Sequence, residues 1–200
     1  MLAAQATIIV HGGSRDELST PAADGEKTKR TIKSTFGHLI PSKADLRFHH
    51  LHGRNARISE DGLVASRPNA LCEFNAAIVM SSRSLRDNEL FEVMVEQMVD
   101  RWSGNLEAGV TTIRPEDMVF PNTMTDLDHD TIMLSGSSIM QGGNTVTNKF
   151  NCNLDDLNVG SRVGVMRKSD GTLHYFIDGV DVGIAAFDVS ENVSVFMRLY

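Results

Sequence analysis

Val163-Gly164-Val165-Met166, Lys168-Ser169-Asp170-Gly171, Leu173-His174-Tyr175-Phe176-Ile177, Asp178-Gly179 and Val180-Asp181-Val182-Gly183-Ile184 follow one another with almost nothing between them. Three short apolar runs are separated by two turns, each ending in Asp-Gly. Asp-Gly suits a tight hairpin because both central residues of a type I′ turn take positive φ. The stretch therefore predicts two successive β-hairpins.

The same punctuation extends upstream. Apolar runs at 77–80, 106–113, 132–134 and 139–140 stop at Ser, Pro115, Ser135-Gly136 and Gly142-Gly143, and 193–200 reads as a last strand. Short runs bounded by Gly, Asn, Asp and Pro mark an all-β domain. Residues 89–100 fit two periods. Phe91, Met94, Val95 and Met98 make a helical stripe, while Phe91, Val93, Val95 and Val99 alternate with Glu92 and Glu96 facing water. Periodicity does not separate the two, but the valines favour a pleated strand. Two packed antiparallel sheets, a β-sandwich, are the natural architecture. No internal repeat is visible.

The N-terminal part reads differently. Residues 11–35 hold hardly any large apolar side chains and carry His11-Gly12-Gly13-Ser14, Pro21 and Asp24-Gly25. Such a segment has too little apolar surface to offset its ordering entropy. Ile8-Ile9-Val10 is short enough to be a strand, and Ile40-Pro41-Ser42 marks a boundary. Residues 1–45 are therefore read as a linker or flexible N-terminal extension, and 46–200 as the domain. Residues 1–10 lack the basic start of a signal peptide.

Composition narrows the function. Of 200 residues, 41% are hydrophobic and 22% charged, which suits a packed core. Residues 1–45 hold six Lys/Arg against five Asp/Glu, and the rest 13 against 21. An acidic body disfavours nucleic acid or anionic lipid, since phosphate affinity comes from clustered Lys and Arg. No run approaches the roughly 18–20 apolar residues of a membrane span. Cys72 and Cys152 are the only cysteines. Neither has a His or Lys directly beside it to lower a thiol pKa, and they suit a reducing, intracellular setting without a disulfide framework.

Chemistry-bearing patterns are few. His49-His50-Leu51-His52 places His50 and His52 on one face of a strand, but no second Cys/His cluster completes a zinc site. Asp126, Asp128 and Asp130 alternate like a calcium loop, yet lack the glycine and terminal Glu of the twelve-residue hand. Gly136-Ser137-Ser138 has no strand–Ser–helix context for a nucleophile. No metal, cofactor or catalytic residue is expected.

Several ordered motifs carry a resemblance. They are Phe48-His49 with His52-Gly53-Arg54-Asn55-Ala56, Asp61-Gly62 and Arg67; then Met80-Ser81-Ser82-Arg83-Ser84-Leu85 and Glu89-Leu90-Phe91-Glu92-Val93; then Trp102-Ser103-Gly104-Asn105-Leu106-Glu107-Ala108-Gly109-Val110; then Pro121-Asn122-Thr123-Met124-Thr125-Asp126-Leu127 and the 170–179 hairpin. Across 46–200 the chain resembles the neuralized homology repeat (NHR) domain, most of all the repeats of multi-repeat, Neuralized-like members. The resemblance implies a SPRY-like, concanavalin-type β-sandwich. It also implies a protein-binding module that serves ubiquitin-ligase machinery as a substrate or partner adaptor, with Notch-ligand tails or centriolar proteins as targets. A cytoplasmic, centrosomal setting follows from the same likeness. Ile132, Asp178 and Arg198 stand where many repeats carry Trp, Asn and Asp.

Recognition is expected on loops at one end of the sandwich. Guanidinium, amide and hydroxyl groups suit carboxylate and backbone partners, so the candidate partner-binding residues are Arg54, Asn55, Arg67, Arg83, Thr125 and Asp126. Trp102 is either a partner-facing anchor or a half-buried sandwich residue beside a Gly turn. A glycan-binding, lectin-like sandwich is the second reading; it needs a metal or an aromatic platform, and the chain has one Trp and two Tyr.

Overall fold

The computed structural model describes residues 6–11, 46–70, 75–99, 106–127 and 129–200. Among the described residues thirteen strands follow in order: β1 (Ala6–His11), β2 (Arg57–Ile58), β3 (Val64–Arg67), β4 (Ile78–Met80), β5 (Leu90–Gln97), β6 (Leu106–Thr111), β7 (Thr131–Ser135), β8 (Ser138–Gln141), β9 (Asn144–Thr147), β10 (Arg162–Arg167), β11 (Leu173–Ile177), β12 (Val180–Ala186) and β13 (Ser194–Leu199). They build a seven-stranded sheet, β12-β11-β10-β5-β1-β3-β2, and a six-stranded sheet, β4-β13-β6-β7-β8-β9. Every ladder is antiparallel. The all-β sandwich is as the sequence predicts. Among the described residues the helical elements are two 3-10 turns, Met124–Asp126 and Leu154–Asp156, and no helix is long and apolar enough to cross a membrane.

The two C-terminal hairpins form as their turns dictate. Asp178 and Gly179 take φ of +49° and +82°, the pair of left-handed conformations that the tight turn requires. Asp178 adds a bond of its own: the Arg162 amide donates to its carboxylate at 2.7 Å. Aspartate thus serves this turn without loss of the hairpin. The ambiguous stretch is strand β5, with Phe91, Val93 and Val95 turned into the core. Glu92 departs from expectation. It is 7% exposed on the opposite face, with one carboxylate oxygen 3.5 Å from Arg162 Nη1.

The core lies between the sheets. Phe91, Val93, Val163, Val165 and Leu173 meet Leu106, Ala108, Val110, Leu134, Val195 and Met197. Tyr175, fully buried, donates from its hydroxyl to the Ala108 carbonyl at 2.9 Å and so bridges β11 to β6. The six-stranded sheet is also covered on its outer face. There Met118 and Met124 from the segment after β6 pack on Ile78, Met80, Met133 and Phe196, with Phe120 and Leu127 beside them.

One expectation about the N-terminal segment is corrected. Ala6–His11 is not linker but an interior strand, paired with β3 on one side and β5 on the other. Ala6, Thr7 and Ile8 are 2–4% exposed, and Ile8 belongs to the main core. Six residues with a β-branched centre suffice here because both neighbouring strands offer unpaired edges. Ile8→Ala is accordingly expected to cost about 2–4 kcal/mol, the usual range for emptying a core isoleucine site. Urea denaturation of the full chain checks this; a loss below about 0.5 kcal/mol would show that β1 adds nothing to the core.

Candidate functional site

At one end of the sandwich, the ends of β6, β7 and β8 face the loop that joins β12 to β13 across a cleft of about 330 Å³. One wall carries Thr111, Thr112, Thr131, Gln141 and Asn144; Phe187 and Ser190 stand on the other. The cleft is lined by hydroxyl and amide side chains, Thr111 and Thr131 among them buried, together with His129, Asp130 and Asp188, and Phe187 beside it is 70% exposed. Hydroxyl and amide groups both donate and accept hydrogen bonds, and an exposed aromatic supplies an apolar anchor.

Local sequence explains each wall. Gly142 and Gly143, at φ +52° and +73°, turn β8 into β9, and the Gly142 amide donates to the Thr131 carbonyl at 3.0 Å. The tip is seated closely: a Cβ on Gly143 would lie 2.8 Å from the Thr125 carbonyl oxygen. The opposite loop is pinned by Val189 and Val193, both buried. Arg167 Nε donates to the Val189 carbonyl at 2.9 Å, and the Val189 amide donates to the Gly171 carbonyl at 2.9 Å. With both valines anchored, Phe187 is left facing outward.

The segment that carries the 3-10 turn 124–126 is fixed by a buried ion pair. Arg198 Nη1 lies 3.0 Å from Glu107 Oε2, with the two side chains 4% and 5% exposed. The same nitrogen donates to Thr123 Oγ1 at 3.1 Å and to the Tyr200 hydroxyl at 2.8 Å, while Ser135 donates to Glu107 Oε1 at 2.7 Å. The Arg198 guanidinium also stacks 4.4 Å from the Tyr200 ring centroid. Burial, and then the Glu107 charge, push the Tyr200 phenol well above its usual range. Arg198 is therefore a structural residue on this sheet's outer face.

The sequence-predicted residues divide into two groups. Arg54, exposed, and Asn55, half-buried, sit in one loop. Asn55 donates to the Asn75 carbonyl at 2.8 Å and its amide to that of Ala76 at 3.0 Å; the Ala76 amide in turn donates to Asn122 at 2.8 Å. The chain around 53–55, 75–76 and 122–126 is thereby brought together. Within it Asp126 Oδ2 accepts from the Thr123 amide at 3.3 Å, and Thr125 Oγ1 lies 3.1 Å from Thr123 Oγ1. Thr125 and Asp126 thus help to hold the turn behind the Gly142-Gly143 tip. Arg67 and Arg83 lie elsewhere. Arg67 is 1% exposed on β3 and donates to the Leu199 carbonyl at 3.1 Å, so it offers no surface group to a partner. Arg83 makes a two-pronged ion pair with Glu89, both contacts at 2.7 Å. Trp102, Gly104 and Cys72 fall outside the described residues. The sequence reading missed Phe187, Thr111, Thr131, Gln141 and Asn144 as a set, since they come from separate strand ends that carry no common spacing.

The His49 and His50 rings lie 4.4 Å apart, but His49 and His52 turn to different partners. His49 Nε2 is 3.2 Å from Glu116 Oε1, whereas His52 Nδ1 faces the Gly53 carbonyl at 2.8 Å. Cys152 is half-buried, and burial raises its thiol to about 11. Among the described residues no group of three or more His, Cys, Asp or Glu is placed to hold a metal ion.

The Neuralized family model matches residues 48–200, which is most of the chain. The chain belongs to the Neuralized family. Its similarity to Protein neuralized of Drosophila virilis is 37% identity over 98 residues, covering 44% of this chain and 13% of that protein. For the Drosophila melanogaster protein it is 39% over 95 residues, 43% and 12%. Human Neuralized-like protein 2 is 30% identical over 83 residues, 42% of this chain and 28% of the relative. The chain thus aligns with between 12% and 28% of the length of these relatives. The crystal structure of the Drosophila melanogaster neuralized NHR1 domain superposes with a TM-score of 0.59 at 21% identity, over 78% of this chain and 91% of that one. The solution structure of the NHR domain in Neuralized from the same fly gives 0.56 at 23%, over 78% and 85%. These two likenesses show the shared NHR sandwich fold. Family membership carries the coarse function, a domain that binds other proteins.

Two outcomes test the electrostatics. Arg198→Met, which leaves the Glu107 carboxylate buried and alone, is expected to cost about 3–5 kcal/mol, with part recovered when Glu107→Gln is added. Urea melts of the two variants decide it, and no recovery would mean that the two side chains are not coupled. The Glu89 carboxyl is held below its usual 4.5 chiefly by the hydrogen bond from Arg83. Its folded pKa is depressed, so its contribution is complete above about pH 4.5 and is lost as pH falls through the folded value. Glu89→Gln should flatten that part of the acid-side stability curve; an unchanged slope would refute the assignment.

Proposed function

We propose that this NHR domain binds an extended segment of a partner protein in the end cleft and serves ubiquitin-ligase machinery as a substrate or partner adaptor. The supporting observation is Phe187, 70% exposed beside a rim of Thr, Gln and Asn side chains on anchored strand ends. An extended peptide presents alternating backbone donors and acceptors, which hydroxyl and amide groups can meet, and a side chain for an aromatic to cover. Arg54 and Asn55, on their own loop, are a second contact region in this reading. The adaptor role, a Notch-ligand tail or centriolar protein as target, and a cytoplasmic or centrosomal setting follow from the family likeness. Two cysteines in this stretch are too few for a RING, which places ligation chemistry outside these 200 residues.

The test is a titration of the full chain with peptides from Notch-ligand cytoplasmic tails and from centriolar proteins. Phe187→Ala should weaken capture by more than about 1 kcal/mol, as a central anchor does. EDTA, or Cys72→Ala with Cys152→Ser, should leave it within a few-fold. Full binding by Phe187→Ala would exclude the cleft. Capture of glycans that is lost on chelation would replace the adaptor reading with the lectin-like one.

A further inference from the structure

Strands β6, β7 and β8 meet the end cleft at one end and border a second cavity at the other. It measures about 310 Å³, and its polar side chains are Glu107, Ser135, Ser137, Ser138, Asp155 and Tyr200. All six present oxygen, and none presents nitrogen.

The sign of a fitting ligand follows from how these groups are already engaged. Glu107 is neutralised by Arg198 Nη1 at 3.0 Å, and Ser135 gives its hydroxyl proton to Glu107 Oε1 at 2.7 Å. Ser137 donates to the Asn148 carbonyl at 3.5 Å, and the Tyr200 hydroxyl accepts from Arg198. What these hydroxyls leave to a ligand is acceptor oxygen. Asp155 differs from Glu107. Among the described residues no hydrogen bond or ion pair engages its carboxylate, so its charge stands unbalanced at the wall. Burial, then Glu107, raise the Tyr200 phenol, and Asp155 adds to them, so its charge is felt across the cavity.

Both walls are fixed in advance. Gly136 turns β7 into β8 at φ +53°, and a Cβ there would lie 3.1 Å from Asp155 Oδ2 and 3.5 Å from Asn153 Oδ1. Glycine therefore keeps open the space in front of these two oxygens. The 3-10 turn Leu154–Asp156 is seated by fully buried Leu154, whose amide donates to the Gly136 carbonyl at 2.9 Å. Asn153 Oδ1 accepts from the Asp155 amide at 3.1 Å and sets the direction of the turn. Groups held this way lose little freedom when a ligand arrives.

We infer that this cavity is a second recognition pocket, which takes the guanidinium of an arginine side chain from a partner protein. Arginine fits the acceptors better than lysine does. Its planar fork pairs both oxygens of a carboxylate and still has N–H groups for the hydroxyl oxygens, whereas an ammonium is a compact, strongly hydrated point charge. Residues 46–200, with 21 acidic against 13 basic side chains, favour the approach of a cation. The pocket lies at the far end of β6 from the end cleft, and the inference is independent of what that cleft binds.

Amide NMR of the full chain, titrated with N-acetyl-arginine methylamide, tests it. Saturable shifts are expected at Gly136, Ser137, Ser138 and Asp155, with an affinity in the millimolar range that suits a single residue. The blocked citrulline, neutral and of the same shape, should leave these amides unmoved, and the blocked lysine should bind more weakly than arginine. Asp155→Asn should weaken arginine binding by about threefold or more, the scale of one exposed charge pair. Asp156→Asn removes an equal charge from an exposed neighbour outside the cavity and should leave binding as it was; the amide spectrum of each variant shows that it is folded. The inference is overturned if these amides do not shift, if citrulline or lysine binds as tightly as arginine, or if the two aspartate variants behave alike.

Discussion

Strands β6 and β13 are buried along their whole length, on both faces of the sheet they share. One face is met by the seven-stranded sheet. The other must be covered by something else, and the segment after β6 does this with Met118, Phe120, Met124 and Leu127. A charge on such a face has to be neutralised where it stands, which is what Arg198 and Glu107 do for each other. Their hydrogen bonds then reach Thr123 and Tyr200, so the covering segment is tied to the sheet by polar contacts as well as by packing. The Gly142-Gly143 tip rests on this segment at Thr125. The cleft wall is thus fixed through the layer beneath it, and a fixed wall loses less freedom on binding than a mobile loop does.

The hairpins around 170–179 were legible because a turn is a local event, decided by positive φ at Gly171 in the first and at Asp178 and Gly179 in the second. Alternation identified β5 once β-branching was weighed, although Glu92 shows the limit of that reasoning: an acidic side chain can occupy a covered face when an arginine on the next strand is near it. Strand β1 was harder. Ile8-Ile9-Val10 is visible as a short apolar run, but its burial comes from two partners more than fifty residues away, and no local pattern encodes them. The glycine-rich stretch that follows then drew the whole segment into a linker reading.

The candidate site was legible only in part. Arg54 and Asn55 lie in a loop and Thr125 and Asp126 in a 3-10 turn, and the bonds of Asn55 and Asp126 hold those segments in shape. Arg67 looked like a recognition group because it sits in a motif, and it is buried against Leu199 instead. Charge alone does not show whether a guanidinium faces water or a carbonyl. Phe187 went unremarked because a single aromatic after a strand has no periodic signature; its exposure follows from Val189 and Val193 being anchored on either side of the next turn.

The position of β1 also sets an order of events as the chain is made. Residues 6–11 are translated before their partners, and their places in the ladder do not exist until 64–97 have been synthesised and brought together. Closing so long a loop before any pairing repays it slows assembly. Until that happens β3 and β5 present bare edges, the kind of surface on which strands of other molecules add. A strand made before both of its neighbours thus waits for them, and in that interval their edges are exposed to wrong partners.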